Sequence, residues 1–208
     1  MLFRSLFDFY VAAEALLVVA TVGALSAFIG ATSALVQKEL KKVLAYSTMS
    51  HLSIAFVGLG VGSLAAGMTH LVNHAVFKAL LFLGAGAVIM SAHHVKDMWR
   101  LGGLGNKLMW VALFMGMGVL SLSGIPPFSG FYSKDAVIAS AIVNPESFGL
   151  ISTLVTIAGL LSMAYIGRLW FLTFAGEPRD KALHEKVTRP SNFWIVLPLG
   201  IMAVATLL

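Results

Sequence analysis

Apolar runs of about 18 residues or more recur along this chain, and each is long enough to cross the hydrocarbon core of a bilayer. In lipid the backbone must satisfy its own hydrogen bonds, so runs of this kind fold into helices. Hydrophobic residues make up 59% of the 208 positions and charged residues only 11%, against about a quarter charged in an ordinary soluble domain. Charge and turn residues divide the runs into six spans, approximately 11–36, 43–62, 64–91, 108–143, 149–174 and 192–208. The pattern predicts an all-α polytopic membrane protein of about six transmembrane helices in a single membrane domain over residues 1–208.

The fourth span is too long for one ordinary crossing and contains "SGIPPFSG" at 123–130. Pro126 and Pro127 remove two backbone donors, so a helix break is expected near Ile125–Ser129, with Gly130 just beyond it. Such a break at membrane depth is tolerated where protein or water re-satisfies the freed carbonyls. The sixth span looks barely long enough to cross.

The opening "MLFRSLFDFY" lacks the features of a signal peptide, because Arg4 is soon followed by Asp8 and no small-residue cleavage site follows. The chain has no cysteine, which excludes disulfides, thiolate metal sites and Cys-ligated iron–sulfur clusters. Its net charge of +5 is topological. Lys38, Lys41, Lys42, Lys96, Arg100, Lys107, Arg179, Lys181, Lys186 and Arg189 fall on one side of the spans, and Arg4 alone on the other. That asymmetry places the rich loops in the cytoplasm, or the matrix of an organelle, with both termini outside; it argues against nucleic acid as a partner.

Lys78, Lys134 and Arg168 remain within spans. A charge near the bilayer centre costs about 2.5–3.5 kcal/mol on insertion scales, so it persists where it lines a cavity or has a partner. His70, His74 and Lys78 follow one another at four-residue steps, a stripe that drifts only about 40° per step on a helix. Thr69 and Asn73 adjoin it and are suited to holding water. An imidazole takes a proton on one nitrogen and releases it from the other, so the stripe suits a proton wire. Lys78 lies about fourteen residues from either end of its span, too deep for its ammonium to reach an interface.

Other readings stay open. Two histidines at i and i+4 also suit zinc or haem, although no Glu follows His70 as in zincins. Lys134 and Asp135 form either a neutralised pair or, pointing about 100° apart, two residues with separate partners. Ser47, Ser50 and His51 make a polar strip that either hydrates a half-channel or glues helices together. Lys41 and Lys42 serve topology or proton uptake, and Glu14 either accepts protons or sits near the outer interface. Arg168 is expected to reach back towards the basic side, and His93 and His94 to be solvated in a loop.

"ALVQKELKKVLAYSTMSHLS", "HLVNHAVFKALLFLGAGAVI", "MWRLGGL" and "LSGIPPFSGFYSKD", in that order, resemble the antiporter-like subunits of respiratory complex I. The likeness is greatest to the L-type (chain 5) subunit, a relative of Mrp-type sodium/proton antiporter and membrane-bound hydrogenase subunits, and runs from about residue 20 to 176. It implies a fold of two inverted five-helix repeats, each with a broken helix and a proton half-channel, of which this chain matches the second (about 11–174). His70, His74 and Lys78 match that family's central-axis histidines and lysine, Lys134 the lysine on the second broken helix, and Lys41 the basic residue opening the "VLAYS" helix. His51 stands where the family often has Gln.

The resemblance further implies redox-driven proton translocation within a complex I-type NADH:quinone oxidoreductase. No cofactor is expected on this chain; flavin and iron–sulfur clusters are expected on partner redox subunits, with quinone as acceptor and other antiporter-like subunits as neighbours in the membrane arm. A prokaryotic plasma membrane is expected, or an inner mitochondrial or thylakoid membrane if organellar. The alternatives are sodium/proton antiport, a related hydrogenase or deazaflavin dehydrogenase, a structural scaffold and a metal or haem enzyme. A full L-type subunit is about three times longer, so a fragment or the product of a split gene is expected, lacking the first repeat and the lateral helix.

The cysteine-free background allows a direct test of orientation. A single cysteine at Lys41 or Lys181 should react with a membrane-impermeant maleimide in inside-out vesicles and stay unlabelled in intact cells.

Overall fold

The computed structural model describes residues 15–144, 149–188 and 193–207. Arg4, Asp8, Glu14 and Arg189 lie outside the described residues. The chain is an all-helical, multi-pass membrane protein. Its elements in order are α1 (Ala15–Val36), α2 (Leu40–Gly60), α3 (Leu64–Ser91), α4 (Met109–Ser123), α5 (Ser129–Val143), α6 (Leu150–Phe174), α7 (Lys181–Lys186) and α8 (Phe193–Ala205). Helices α1, α2, α3 and α6 are each long and apolar enough to span a membrane. Helix α3, with 28 residues, is about 42 Å long and is the central element; it packs against α2, α4, α5 and α8.

The long fourth run divides as its prolines require. Helix α4 ends at Ser123 and α5 begins at Ser129. Gly124, in the left-handed region at φ 76°, terminates α4. Its amide donates to the Ser121 carbonyl (3.0 Å) and the Ile125 amide to that of Leu120 (3.1 Å), the double return of a Schellman ending. The Pro126–Pro127 peptide is cis. Helix α8 is shorter than a full crossing and carries Pro198 within it; it ends against the break, where the Thr206 carbonyl accepts the Ser129 amide (2.9 Å).

Helix α1 shows how the bundle closes. Its buried face consists only of Ala20, Gly23, Ala24, Ala27, Gly30, Ala31 and Ala34, lying along rows that step by three and four residues, while Leu17, Val18, Val22, Leu25 and Ile29 point outwards. Lipid solvates large apolar side chains well, so contact between helices comes from small residues that let backbones approach. A Cβ on Gly30 would stand 2.8 Å from the Ser50 amide nitrogen, and one on Gly60 would stand 2.5 Å from that of Ala20. Ser50 fixes the register by donating from Oγ to the Ala27 carbonyl (2.9 Å).

The basic loops gather at one end, where α1, α3 and α6 finish and α2 and α4 start. The Leu40 amide donates to the Lys96 carbonyl (3.0 Å) and the Met98 amide to that of Lys38 (2.9 Å). Arg179 donates to the Leu101 carbonyl (3.0 Å), Arg100 pairs with Asp180 at 3.0 Å, and Lys107 donates to the His184 carbonyl. The Leu183 amide and the Arg100 guanidinium hold the Asp180 carboxyl below its usual range. The short helix α7, which Asp180 caps by accepting the Leu183 amide, lies outside the six runs read from the sequence. His93 adopts φ 50° in the turn after α3, and its Nε2 lies 2.9 Å from the Lys186 carbonyl. Among the described residues the opposite end, at the 61–63 turn and Asn144, carries no Lys or Arg.

Gly30→Leu should push α1 off α2. Overpacking of this kind costs about 1–3 kcal/mol, to be read as a lower unfolding midpoint of the detergent-solubilised protein.

Candidate functional site

The break in the fourth run decides where Lys134 sits. In an uninterrupted helix the Leu122 and Ser123 carbonyls would accept from the amides of residues 126 and 127, four positions on. Both of those residues are proline and have no N–H. The Lys134 Nζ takes their place, donating to the Leu122 carbonyl at 2.7 Å and the Ser123 carbonyl at 3.1 Å. A third donation goes to Ser162 Oγ of α6 at 2.8 Å, which uses all three ammonium protons. The side chain is 6% exposed, and the negative end of the α4 dipole faces the cation.

Lys78 occupies the middle of α3 and is 5% exposed. Its Nζ donates to the Leu44 carbonyl of α2 (3.1 Å) and to Ser47 Oγ. Leu44 lies three residues beyond Lys41, about 4.5 Å of helical rise. The Ser47 hydroxyl in turn donates to the Leu44 carbonyl at 2.9 Å. Neither lysine is paired with a carboxylate. Among the described residues the only carboxylate within α1–α6 is Asp135, which is exposed. Lys134 and Asp135 are therefore not bonded to one another, although both line a recess of about 170 Å³ between α5 and α6.

Three histidines stand between the lysines. His51 Nδ1 lies 3.3 Å from His70 Nε2, and His70 Nδ1 lies 3.1 Å from Ser133 Oγ. His51 also stacks on His74 with ring centroids 5.9 Å apart, and Phe77 presents its edge to both. The Nε2 atoms of His51 and His74 have no protein hydrogen-bond partner. The stripe on α3 thus continues sideways: His70 connects through His51 to α2 and through Ser133 to α5. Asn73, beside the stripe, donates to the Ser129 carbonyl at the start of α5 (3.2 Å).

The polar strip on α2 divides by face. Ser47 and His51 join the α3 groups, whereas Ser50, one step round, serves helix packing. Lys41 is exposed at the start of α2. Arg168 of α6 reaches the basic end as expected and donates to the Gln37 carbonyl (2.6 Å) and the Ala34 carbonyl (3.3 Å) at the end of α1. Pro126, Pro127 and Gly130 form the break; a Cβ on Gly130 would collide with the Ser121 carbonyl. Ser133, Ser162 and the fully buried Tyr165 also belong to this interior. Nothing in the sequence singles out these three, because a lone Ser or Tyr in an apolar span carries no signal of its partner. Among the described residues no group of three or more His, Asp or Glu side chains is placed to hold a metal ion.

The family model described as NADH:quinone oxidoreductase/Mrp antiporter, TM, matches residues 1–167. NADH-quinone oxidoreductase subunit L of Rhodobacter capsulatus is 42% identical over 211 residues, covering 96% of this chain and 29% of that one. The chloroplastic NAD(P)H-quinone oxidoreductase subunit 5 of Physcomitrium patens is 43% identical, covering 88% of this chain and 26% of that one. This chain therefore spans between a quarter and a third of the length of these two relatives. A chain in the Mrp complex from Dietzia sp. DQ12-45-1b superposes with a TM-score of 0.81 at 23% identity, over 92% of this chain and 43% of that one. One in the archaeal membrane-bound sulfane sulfur reductase superposes with a TM-score of 0.82 at 26% identity, over 91% and 31% respectively.

His51→Leu should strand the buried His70 Nε2, at a cost of about 1–3 kcal/mol. His51→Gln, which keeps a donor and an acceptor, should recover most of that loss. Thermal unfolding of the two variants in detergent checks both outcomes.

Proposed function

The chain belongs to the NADH:quinone oxidoreductase/Mrp antiporter transmembrane family, and from that premise we propose that it carries one proton half-channel of a redox-driven, complex I-type NADH:quinone oxidoreductase. The observation that carries this reading is the setting of Lys78 and Lys134: two ammonium groups at membrane depth, each held by neutral oxygens including one hydroxyl. A carboxylate partner would hold the charged form in place. A serine hydroxyl accepts from the ammonium and, after the proton has left, rotates to donate to the neutral amine. Ser47 and Ser162 thus suit both states of their lysines.

Protons enter from the basic-loop side past Lys41 and load Lys78. They pass through His74, His51 and His70 to Ser133, and leave by Lys134 and the recess it shares with Asp135. The charged sites lie in a row across the bundle, and a change of charge at a neighbouring site is felt electrostatically along it. That coupling is how energy released elsewhere drives the step, because this chain performs no redox chemistry itself. Flavin, iron–sulfur clusters and the quinone reaction belong to partner subunits, and neighbouring antiporter-like subunits complete the membrane arm. The basic loops face the cytoplasm of a prokaryote, or the corresponding interior of an organelle.

The family description also names the Mrp antiporter, and that supports a second reading, sodium/proton antiport. It predicts a sodium-dependent change of internal pH in vesicles without redox substrate. For the proton-pump reading, Lys78→Ala in the intact assembly should abolish acidification of inverted vesicles during NADH oxidation while the assembly remains present at its normal level. Unchanged acidification at normal turnover would remove Lys78 from the pathway.

A further inference from the structure

Tyr165 is fully buried in α6, and its hydroxyl has no hydrogen-bond partner. The phenol comes up beside Ser47 of α2 without completing a hydrogen bond to it. A buried hydroxyl left unmatched is costly, and a chain keeps one where it has a use or where water completes it. Ser47 is the hydroxyl that accepts from Lys78. Three residues earlier on α6, and therefore on the same face, the buried Ser162 accepts from Lys134 at 2.8 Å. Helix α6 thus presents one hydroxyl towards each lysine's shell, a turn apart. Side chains on a helix lean over the turn that precedes them, which carries the Tyr165 ring across the turn of Ser162.

We propose that Tyr165 is a proton-relay residue joining Lys78 to Lys134 along α6, in parallel with the histidine branch. The inference rests on the proton-translocating reading above and adds a second route to it. The histidine branch ends at Ser133, whose hydroxyl bonds His70 and the Gly130 carbonyl, and Ser133 makes no bond to the Lys134 ammonium. The α6 branch ends on that ammonium directly. In the step, Lys78 gives one proton to the Ser47 oxygen as the Ser47 O–H proton passes to the Tyr165 oxygen. Tyr165 releases its own proton through an ordered water to Ser162, and Ser162 releases its proton to the neutral amine of Lys134. One N–H bond is broken at Lys78 and one is formed at Lys134, each hydroxyl ends with the single proton it began with, and no electron is transferred. Phenol and hydroxyl are both donor and acceptor, as this exchange requires.

The test uses the intact membrane assembly and reads protons translocated per electron, normalised to assembled complex. Tyr165→Phe removes one oxygen and keeps the ring that fills the core; it is expected to lower the ratio at least threefold. Combined with Ser162→Ala, it should fall no further than the weaker single variant, because groups in series are lost together. A structural role would instead lower complex abundance and leave the ratio unchanged, and that result overturns the inference. Should Tyr165→Phe fail to assemble, Tyr165→His keeps a ring that both accepts and donates. At least half the normal ratio in that variant supports the relay, and its loss overturns it. Lys78→Ala in the same assembly separates the two proposals. Normal pumping by Tyr165→Phe with none by Lys78→Ala removes only the α6 branch, whereas normal pumping by Lys78→Ala removes both.

Discussion

A cation in the middle of a membrane bundle needs oxygens, and here they come from a fault in a helix. Pro126 and Pro127 cannot donate to Leu122 and Ser123, and an unpaired carbonyl at this depth costs several kcal/mol. Lys134 makes both bonds. The proline pair and the lysine therefore satisfy one another's deficits, one lacking donors and the other lacking acceptors. Gly124, Gly130, Asn73 and Thr206 finish the remaining ends of the break. Remove any part of this arrangement and a buried polar group is left without a partner.

Lys78 depends on the same economy by a different route, because α2 is unbroken beside it. Its oxygens are the Leu44 carbonyl and the Ser47 hydroxyl, brought close by the way α2 is clamped from its other side. The alanine and glycine face of α1 brings backbone almost onto backbone at Gly30 and Gly60, and Ser50 locks the contact. With that face spent on packing, Ser47 and His51 turn towards α3, where the histidines and Lys78 are waiting. A helix that looks polar all round along "STMSH" is thus two-sided: Ser50 holds the bundle together and Ser47 faces the charge.

Periodicity made much of this legible. The four-residue repeat of His70, His74 and Lys78 placed them on one face of α3, and burial of all three on that face agrees. The proline pair located the break within a residue of its start. Arg168 followed the same logic in reaching for the basic end. What periodicity cannot express is the partner across the bundle. Nothing local distinguishes Ser47 from Ser50, and Ser162 and Tyr165 are ordinary residues of an apolar run until Lys134 and Ser47 are set beside them. Asp135 shows the limit from the other side, since its place next to Lys134 in sequence does not make them partners. The short helix α7 escaped because its six residues are too few for an apolar period, although Asp180 caps it.

The sequence by itself determined that this chain lies in a membrane, how its spans divide, where one of them breaks and which charges stay inside. Those properties follow from hydropathy, helical period and the missing proline amides, all of which act within about twenty residues along the chain. Tertiary structure alone decided that His51 meets His70, that Lys134 turns to α4 and α6 and away from Asp135, and that α6 presents a hydroxyl to each lysine site. These pairings join groups as far apart as His70 and Ser133, or Lys78 and Leu44. The physical reason is reach: a helix fixes the direction of each side chain relative to its own axis, and only the packing of one axis against another settles what that side chain touches.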